Sequence, residues 1–269
     1  MRKVLVTLLL VCGVTTVAAA PAQASAARVL NVLSFNIHHA AGTDGVLDVA
    51  RVADVIRRSG ADVVGLQEVD RHYSARSEWA DQAGELARLL GYQVVFGANI
   101  DREPPSPGQP RVQYGTAILS RYPIRAWDNT YLSRSPDQEQ RGLLHAELDV
   151  RGKRVHFYDT HLAASSQTDR LAQTRQIVDL IGGTRPSVLV GDLNALPDAP
   201  EIATLASAFT DAWPVSGRGD EATYPAEAPD RRIDYVYAGA GARPLVTRVV
   251  HADPAASDHL PLAARVQVR

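Results

Sequence analysis

Asp192 and Asn194 stand two residues apart, directly after a short apolar run from Ser187 to Val190 and a glycine, Gly191. An acid and an amide at that spacing, just past the C-terminal end of a strand, project from the same side of the chain. Open α/β sheets present their chemistry at such strand ends. The carboxylate can bind a hard cation or hold an attacking water, and the amide can donate hydrogen bonds to a phosphoryl oxygen. The same letters also suit a strand followed by an Asx-type turn. Asn36, Glu68, His161, Asp234, Asp258 and His259 likewise fall at strand ends or beside strands. Singly, each has a structural reading: Glu68 as a loop carboxylate, His161 as a semi-buried imidazole, Asp258-His259 as a capping pair. Together they supply carboxylates, amides and imidazoles, and no Gly-x-Ser-x-Gly elbow accompanies them. Metal-assisted hydrolysis is the chemistry open to that set.

The elements that must position these residues follow from periodicity and punctuation. Strands are expected at Arg28–Phe35, Asp62–Leu66, Tyr92–Ala98, Tyr114–Ser120, Ile124–Tyr131 and Ser187–Val190. A hairpin joins Gly142–Val150 to Arg154–Thr160 around Arg151-Gly152-Lys153, and Ile233–Tyr237, Leu245–Val250 and Leu260–Val268 close the fold. Helices are expected at Asp48–Arg58, Trp79–Leu90 and Thr168–Ile181, each stopped by glycine, with a short one near Ala199–Ala206. Residues 101–111, which hold four of the 16 prolines, and residues 214–230 are expected to be surface loops. Strands outnumber helices and short turns join many of them. That pattern suggests two packed sheets with helices outside, not strict βαβ alternation.

The first 26 residues have the form of a secretory signal: Arg2-Lys3, an apolar run to Val17, then Ala-x-Ala pairs with a cut expected after Ala26. Export would leave residues 27–269 as one domain and would remove Cys12, the single cysteine. Thiol chemistry and thiolate metal sites are thereby excluded. Loss of Arg2 and Lys3 takes the formal charge from -2 to -4. An acidic chain argues against a protein that grips long nucleic acid by its phosphates.

Six segments occur in an order that resembles the exonuclease–endonuclease–phosphatase superfamily. They are Leu33-Ser-Phe-Asn-Ile37, Val64-Gly-Leu-Gln-Glu-Val69, Thr160-His-Leu162, Gly191-Asp-Leu-Asn194, Arg232-Ile-Asp-Tyr235 and Ser257-Asp-His-Leu-Pro261. The stretch Tyr114 to Pro123 is similar to that family's central hairpin. The resemblance implies a four-layered α/β sandwich of the α+β kind, two mixed, mainly antiparallel sheets face to face with helices outside. It implies Glu68 as principal metal ligand with Asn36 beside it, and Asp258 as a second metal or water-orienting carboxylate. It implies Asp192 as the residue that positions or deprotonates the water, Asn194 and His161 as phosphate contacts, and Asp234–His259 as an Asp–His pair. Magnesium is the expected divalent ion, with manganese, calcium, iron or zinc as alternatives.

The family hosts several phosphoester chemistries, so the fold cannot choose the substrate. A nuclease wants a basic face, and a lipid-surface enzyme wants an exposed apolar hairpin; neither is visible in this sequence. A small phosphodiester is the expected substrate by elimination. Similarity to secreted bacterial members orders glycerophosphodiesters such as glycerophosphoethanolamine first. The alternatives are an extracellular endonuclease, a sphingomyelinase-like phospholipase C and an inactive binding protein. A monomer without stable membrane association is expected. His38, two residues from Asn36, and Arg141, at a strand entrance, are candidates to contact the phosphate, and His38 with His39 would widen the metal range. Arg71 and Arg76 could clamp phosphate or pair with an acid. An ammonium headgroup would need an aromatic or acidic partner, for which Trp127, Trp213 and Tyr224 are candidates.

Overall fold

The computed structural model describes residues 3, 4 and 27–269. The expected export signal, 1–26, falls outside the described residues except for Lys3 and Val4. The chain lays down β1 (Arg28–Asn36), α1 (Val49–Ser59), β2 (Val63–Arg71), α2 (Gln82–Leu90), β3 (Gln93–Arg102) and β4 (Val112–Ser120). It crosses to β5 (Ile124–Tyr131), β6 (Gly142–Val150), β7 (Lys153–His161), α3 (Gln167–Ile181), β8 (Ser187–Asp192) and α4 (Pro200–Ala206). After β9 (Thr210–Asp211), α5 (Ala212–Ser216) and β10 (Asp234–Ala238), it returns with β11 (Ala242–Val249) and β12 (Leu262–Val268).

Two six-stranded sheets result, ordered β11-β12-β1-β2-β4-β3 and β5-β6-β7-β8-β10-β9. Neighbours are antiparallel except β1–β2 and β7–β8, whose parallel pairing needs the crossovers through α1 and α3. Three apolar layers separate the parts. Leu30, Val32, Phe157, Val190 and Val236 pack between the sheets. Phe35, Ile56 and Leu86 pack where α1 and α2 cover the first sheet, and Tyr158, Ile177 and Leu189 where α3 covers the second. This is the expected four-layered sandwich.

Period-two alternation explains how that core turns into a site. On the face between the sheets, β1 carries Leu30, Val32, Ser34 and Asn36, and β7 carries Val155, Phe157, Asp159 and His161. The matching faces of β8 and β10 carry Val188, Val190 and Asp192, and Ala238, Val236 and Asp234. Each strand is apolar at depth and polar at the same end of the sandwich.

Gly65 keeps the two sheets close beneath that end. A Cβ there would overlap Val190 Cγ2 and reach the Asp159 carboxyl at 2.9 Å. Gly65→Ala is therefore expected to destabilise by about 1–3 kcal/mol, the usual range for an overpacked core. Thermal unfolding would show it as a lowered Tm, and an unchanged Tm would mean the sheets yield freely at this point.

Several boundaries differ from the sequence expectation, among them the end of β2, which runs past Leu66 to Arg71 and so carries Glu68 within the strand. Helix α2 starts at Gln82, not Trp79, because Glu78 and Trp79 adopt left-handed φ of 52° and 57° and Asp81 caps the helix by accepting from Gly84 N–H. Strand β3 runs on to Arg102, into the expected loop, still paired with β4. The long loop keeps one turn of helix at its start, where Asp211 accepts from Trp213 N–H to cap α5. Among the described residues, no helix is long and apolar enough to cross a membrane.

Candidate active site

Strand direction gathers the polar ends. The C-terminal ends of β1, β2, β7 and β8 meet at one edge of the sandwich. Strand β10 runs antiparallel to β8 and places Asp234 opposite Asp192. Strand β12 runs antiparallel to β1, so the segment before it, Ser257-Asp258-His259, arrives at the same edge. Ser257 Oγ locks it there by donating to the Asn36 carbonyl at 2.7 Å.

Asn36, 0% exposed, sits at the centre. Its Nδ2 donates to Glu68 Oε1 and to Asp192 Oδ2, both at 3.0 Å, and lies 3.5 Å from His259 Nε2. Glu68 reaches this point through a bulge. In β2, Val64 and Leu66 face the helices, and strict alternation would send Glu68 after them. The register with β4 shifts between Leu66 and Val69, and Glu68 adopts φ 59°, which turns its carboxylate to the site. Bulges commonly re-aim a side chain in this way.

Asp192, 1% exposed, accepts the Asn194 backbone N–H on Oδ1 at 2.9 Å. Its Oδ2 faces His161 Nε2 at 3.4 Å and His259 Nε2 at 3.6 Å. Burial pushes the Asp192 carboxyl up to about 7, opposed by the charge of His259. His259 holds Asp234 Oδ2 through Nδ1 at 2.9 Å. Burial disfavours the His259 charge, but Asp234 and then Asp192 outweigh it and raise the imidazole to about 10. The group is thus a protonated imidazole between two buried carboxylates; the donor atoms of Asp192, Asp234 and His259 lie within 4.8 Å of one another and could hold a metal ion only with that imidazole proton displaced.

His161 behaves in the opposite sense. Burial, then Arg141 and His259, hold it well below the usual histidine range, so it is neutral. Arg141 Nη1 and Asn194 Nδ2 can both only donate, so Nδ1 at 3.1 Å and Nε2 at 3.0 Å each face a donor, and the neutral ring accepts at one of them. Arg141 also pairs with Glu139 at 2.7 Å. Asn194, with a left-handed φ of 49°, donates Nδ2 to the Leu162 carbonyl at 3.1 Å and places it 3.0 Å from His161 Nε2.

The chain does not continue β1 past Asn36. His38, His39 and Ala40 turn left-handed, at φ 45°, 44° and 59°. His38 and His39 both come up beside Glu68, with donor atoms of the three within 4.8 Å of one another. Burial, helped by Arg76, lowers the His39 imidazole to about 4.

These residues open onto a cleft of ≈ 760 Å³, whose lining includes Glu68, Arg141, His161, Asp192, Asn194, Asp258 and His259. Its walls add Glu139, Asp230, Arg231, Tyr114 and Tyr224. Both arginines are already paired, Arg141 with Glu139 and Arg231 with Asp230 at 2.7 Å each. Acids therefore outnumber free cations around the opening. Tyr224 packs on His259 with ring centroids 4.8 Å apart.

All ten sequence candidates reach this edge. Of the other candidates, Tyr224 lines the cleft and His39 stands beside Glu68, while Arg71, Arg76, Trp127 and Trp213 do not share in it. Arg76 is bound to buried Asp70 at 2.7 Å and Arg71 pairs with Asp81 at 3.6 Å. Trp127 is exposed on the edge strand β5, and Trp213 packs against the core between the sheets. Glu139 and Tyr114 were not singled out as site residues in sequence. Adjacency of Glu139 to Arg141 is the one signal that pointed to it.

One buried acid under the site is not part of it. Asp159, fully buried, accepts from Gln67 Nε2 at 2.6 Å, and burial pushes its carboxyl well above 3.8. A raised folded value means the native state binds this proton more tightly than the unfolded chain. Its contribution to stability is then greatest near pH 3.8 and is lost as pH rises through the folded value. Asp159→Asn, which keeps the acceptor for Gln67, should raise Tm at neutral and alkaline pH and leave it nearly unchanged at pH 4. An equal shift at every pH would contradict a raised folded value for Asp159.

Comparison with known proteins agrees with this geometry. The sequence profile of the Endonuclease/Exonuclease/phosphatase family matches residues 33–259. Escherichia coli YbhP is 26% identical over 250 residues, covering 88% of this chain and 96% of its own. The crystal structure of an endonuclease/exonuclease/phosphatase from Beutenbergia cavernae superposes with a TM-score of 0.79 at 29% identity, covering 90% of this chain and 72% of that one. The Bacteroides thetaiotaomicron mannosyl-6-phosphatase Bt3783 shares the fold, with a TM-score of 0.68 at 18% identity over 88% of this chain and 99% of its own. The profile runs from the first of the six motifs to His259 in the last, and the chain belongs to the Endonuclease/Exonuclease/phosphatase family of phosphoester hydrolases.

Proposed function

We propose that this chain is an exported, metal-dependent phosphodiesterase that hydrolyses a small soluble phosphodiester of the glycerophosphoethanolamine type. The observation that carries the reading is the buried Asp192, with Asn36, His161 and His259 around its Oδ2, at the floor of a cleft richer in acids than in free cations. A carboxylate so held can orient a water and take its proton. His259, which Asp234 keeps protonated, and the Asn194 amide can donate to phosphoryl oxygens as charge develops on them. Arg141 holds the His161 ring and faces the same space.

The donor set fits a divalent ion: Glu68 beside His38 and His39, with Asp258 on the same cleft, and a buried His39 Nδ1 that has no partner. When bound by Glu68 and its neighbours, such an ion would neutralise charge on a non-bridging phosphoryl oxygen.

The acidic rim favours a substrate with a cationic headgroup over a polyanion. An ammonium group would meet Glu139, Asp230 and the Tyr224 ring by exchanging with the arginines they now hold, Arg141 on the first and Arg231 on the other two. Glycerophosphoethanolamine should accordingly show a KM about 10-fold lower than glycerophosphoglycerol, the scale of one partly desolvated cation–π or ionic contact. Equal KM values would contradict headgroup recognition by the rim.

A further inference from the structure

We propose that His38 and His39 join Glu68 to form a mixed nitrogen–oxygen cation site that takes a zinc- or cobalt-class ion in preference to magnesium. The inference rests on the hydrolase reading for the ion's role, and on the turn after β1 for its place. His38 Nδ1 lies 3.1 Å from the Ala41 carbonyl, which can only accept. The ring proton therefore sits on Nδ1 and the Nε2 lone pair is free to ligate. His39 Nδ1 is buried without a hydrogen-bond partner. A carboxylate oxygen of Glu68 completes the group, within 4.8 Å of a nitrogen from each ring.

The backbone is built to hold the two rings there. Three consecutive non-glycine residues, His38 to Ala40, are left-handed, and Glu68 across from them is left-handed as well. Such conformations persist only where the surroundings over-determine them, and they gather at functional sites. The surroundings here are specific. His38 N–H donates to Asn36 Oδ1 at 3.1 Å. Gln82, fully buried at the start of α2, donates to the His39 carbonyl at 2.6 Å and accepts the Asp70 N–H at 3.0 Å. The turn is thereby tied to β2, the strand that delivers Glu68.

Two imidazoles change which ion fits. Magnesium prefers oxygen ligands in octahedral array and gives up its waters reluctantly, whereas imidazole suits zinc, cobalt and iron. The test is calorimetric titration of the full-length, chelator-stripped chain with Zn²⁺, Co²⁺ and Mg²⁺, a readout that needs no activity. Zn²⁺ and Co²⁺ should bind at least about 100-fold more tightly than Mg²⁺. His38→Asn and His39→Asn suit the turn, because asparagine tolerates left-handed φ better than other non-glycine residues. Each should weaken Zn²⁺ binding about 10-fold or more and leave Mg²⁺ binding within about 2-fold. Similar wild-type affinities for Zn²⁺ and Mg²⁺, or unchanged Zn²⁺ binding in both variants, would overturn the proposal. If neither variant folds, the wild-type affinity ratio decides alone. Tight Zn²⁺ binding that needs the pair, in a chain that cleaves no phosphodiester, would remove the hydrolase reading and leave this site standing. Hydrolysis in a chain whose metal preference ignores the pair would do the reverse.

Discussion

Asp192→Asn is expected to lower kcat by about 10⁴-fold, the upper range for loss of a positioned general base. The substitution keeps size and keeps an acceptor for the Asn194 N–H, which now sits 2.9 Å from Oδ1. It removes the one atom, Oδ2, on which Asn36, His161 and His259 converge. An amide nitrogen there can neither take a proton from water nor accept from Asn36. The fold should survive, but stability should fall by about 1–3 kcal/mol, because the buried Asn36 amide loses this acceptor. The check is kcat together with Tm for the two proteins. Activity within about 10-fold of wild type would take the proton-accepting role away from Asp192.

His259→Ala should act on both activity and stability. Its loss removes a donor aimed at the phosphoryl site, at a cost of about 10²–10³-fold in kcat. It also strips the imidazolium from between Asp192 and Asp234, which are each 1% exposed. Removing one partner from a buried ionic group commonly costs about 3–5 kcal/mol, because the remaining charge is left uncompensated. The variant should therefore unfold at lower urea concentration, and less so in acid, where the two carboxyls can protonate. A purely catalytic defect, with the urea midpoint unmoved, would mean that the carboxylates do not rely on His259 for charge balance.

These two effects arise at positions that alternation made legible in the sequence. Asn36, His161 and Asp192 each end an apolar strand on its inward face, so types and spacing alone place them together once two sheets are stacked. Asp234 and His259 needed only the antiparallel sense of β10 and β12. Glu68 is different. Simple alternation sends it to the helix side, and only the bulge at Leu66–Val69 with its left-handed φ returns it. No letter announces a bulge built without glycine. The turn at His38–Ala40 was hidden for the same reason, since non-glycine residues rarely adopt φ > 0. The rim residues Glu139 and Tyr224 belong to connections without a periodic pattern, the first held by Arg141 two residues on and the second by long-range packing on the His259 ring. The early start expected for α2 reflected the helical pattern of Trp79 to Leu90. The Asp81 cap, with its contact to Gly84 N–H, overrode it.

The most direct test of the account is the rate at which the full-length chain releases product from glycerophosphoethanolamine, with divalent metal and with chelator, beside supercoiled plasmid under the same conditions. Metal-dependent cleavage of the small diester is expected while the plasmid stays intact. Plasmid nicking that chelator and Asp192→Asn both abolish, with glycerophosphoethanolamine untouched, would contradict it and make the acidic cleft a nuclease site.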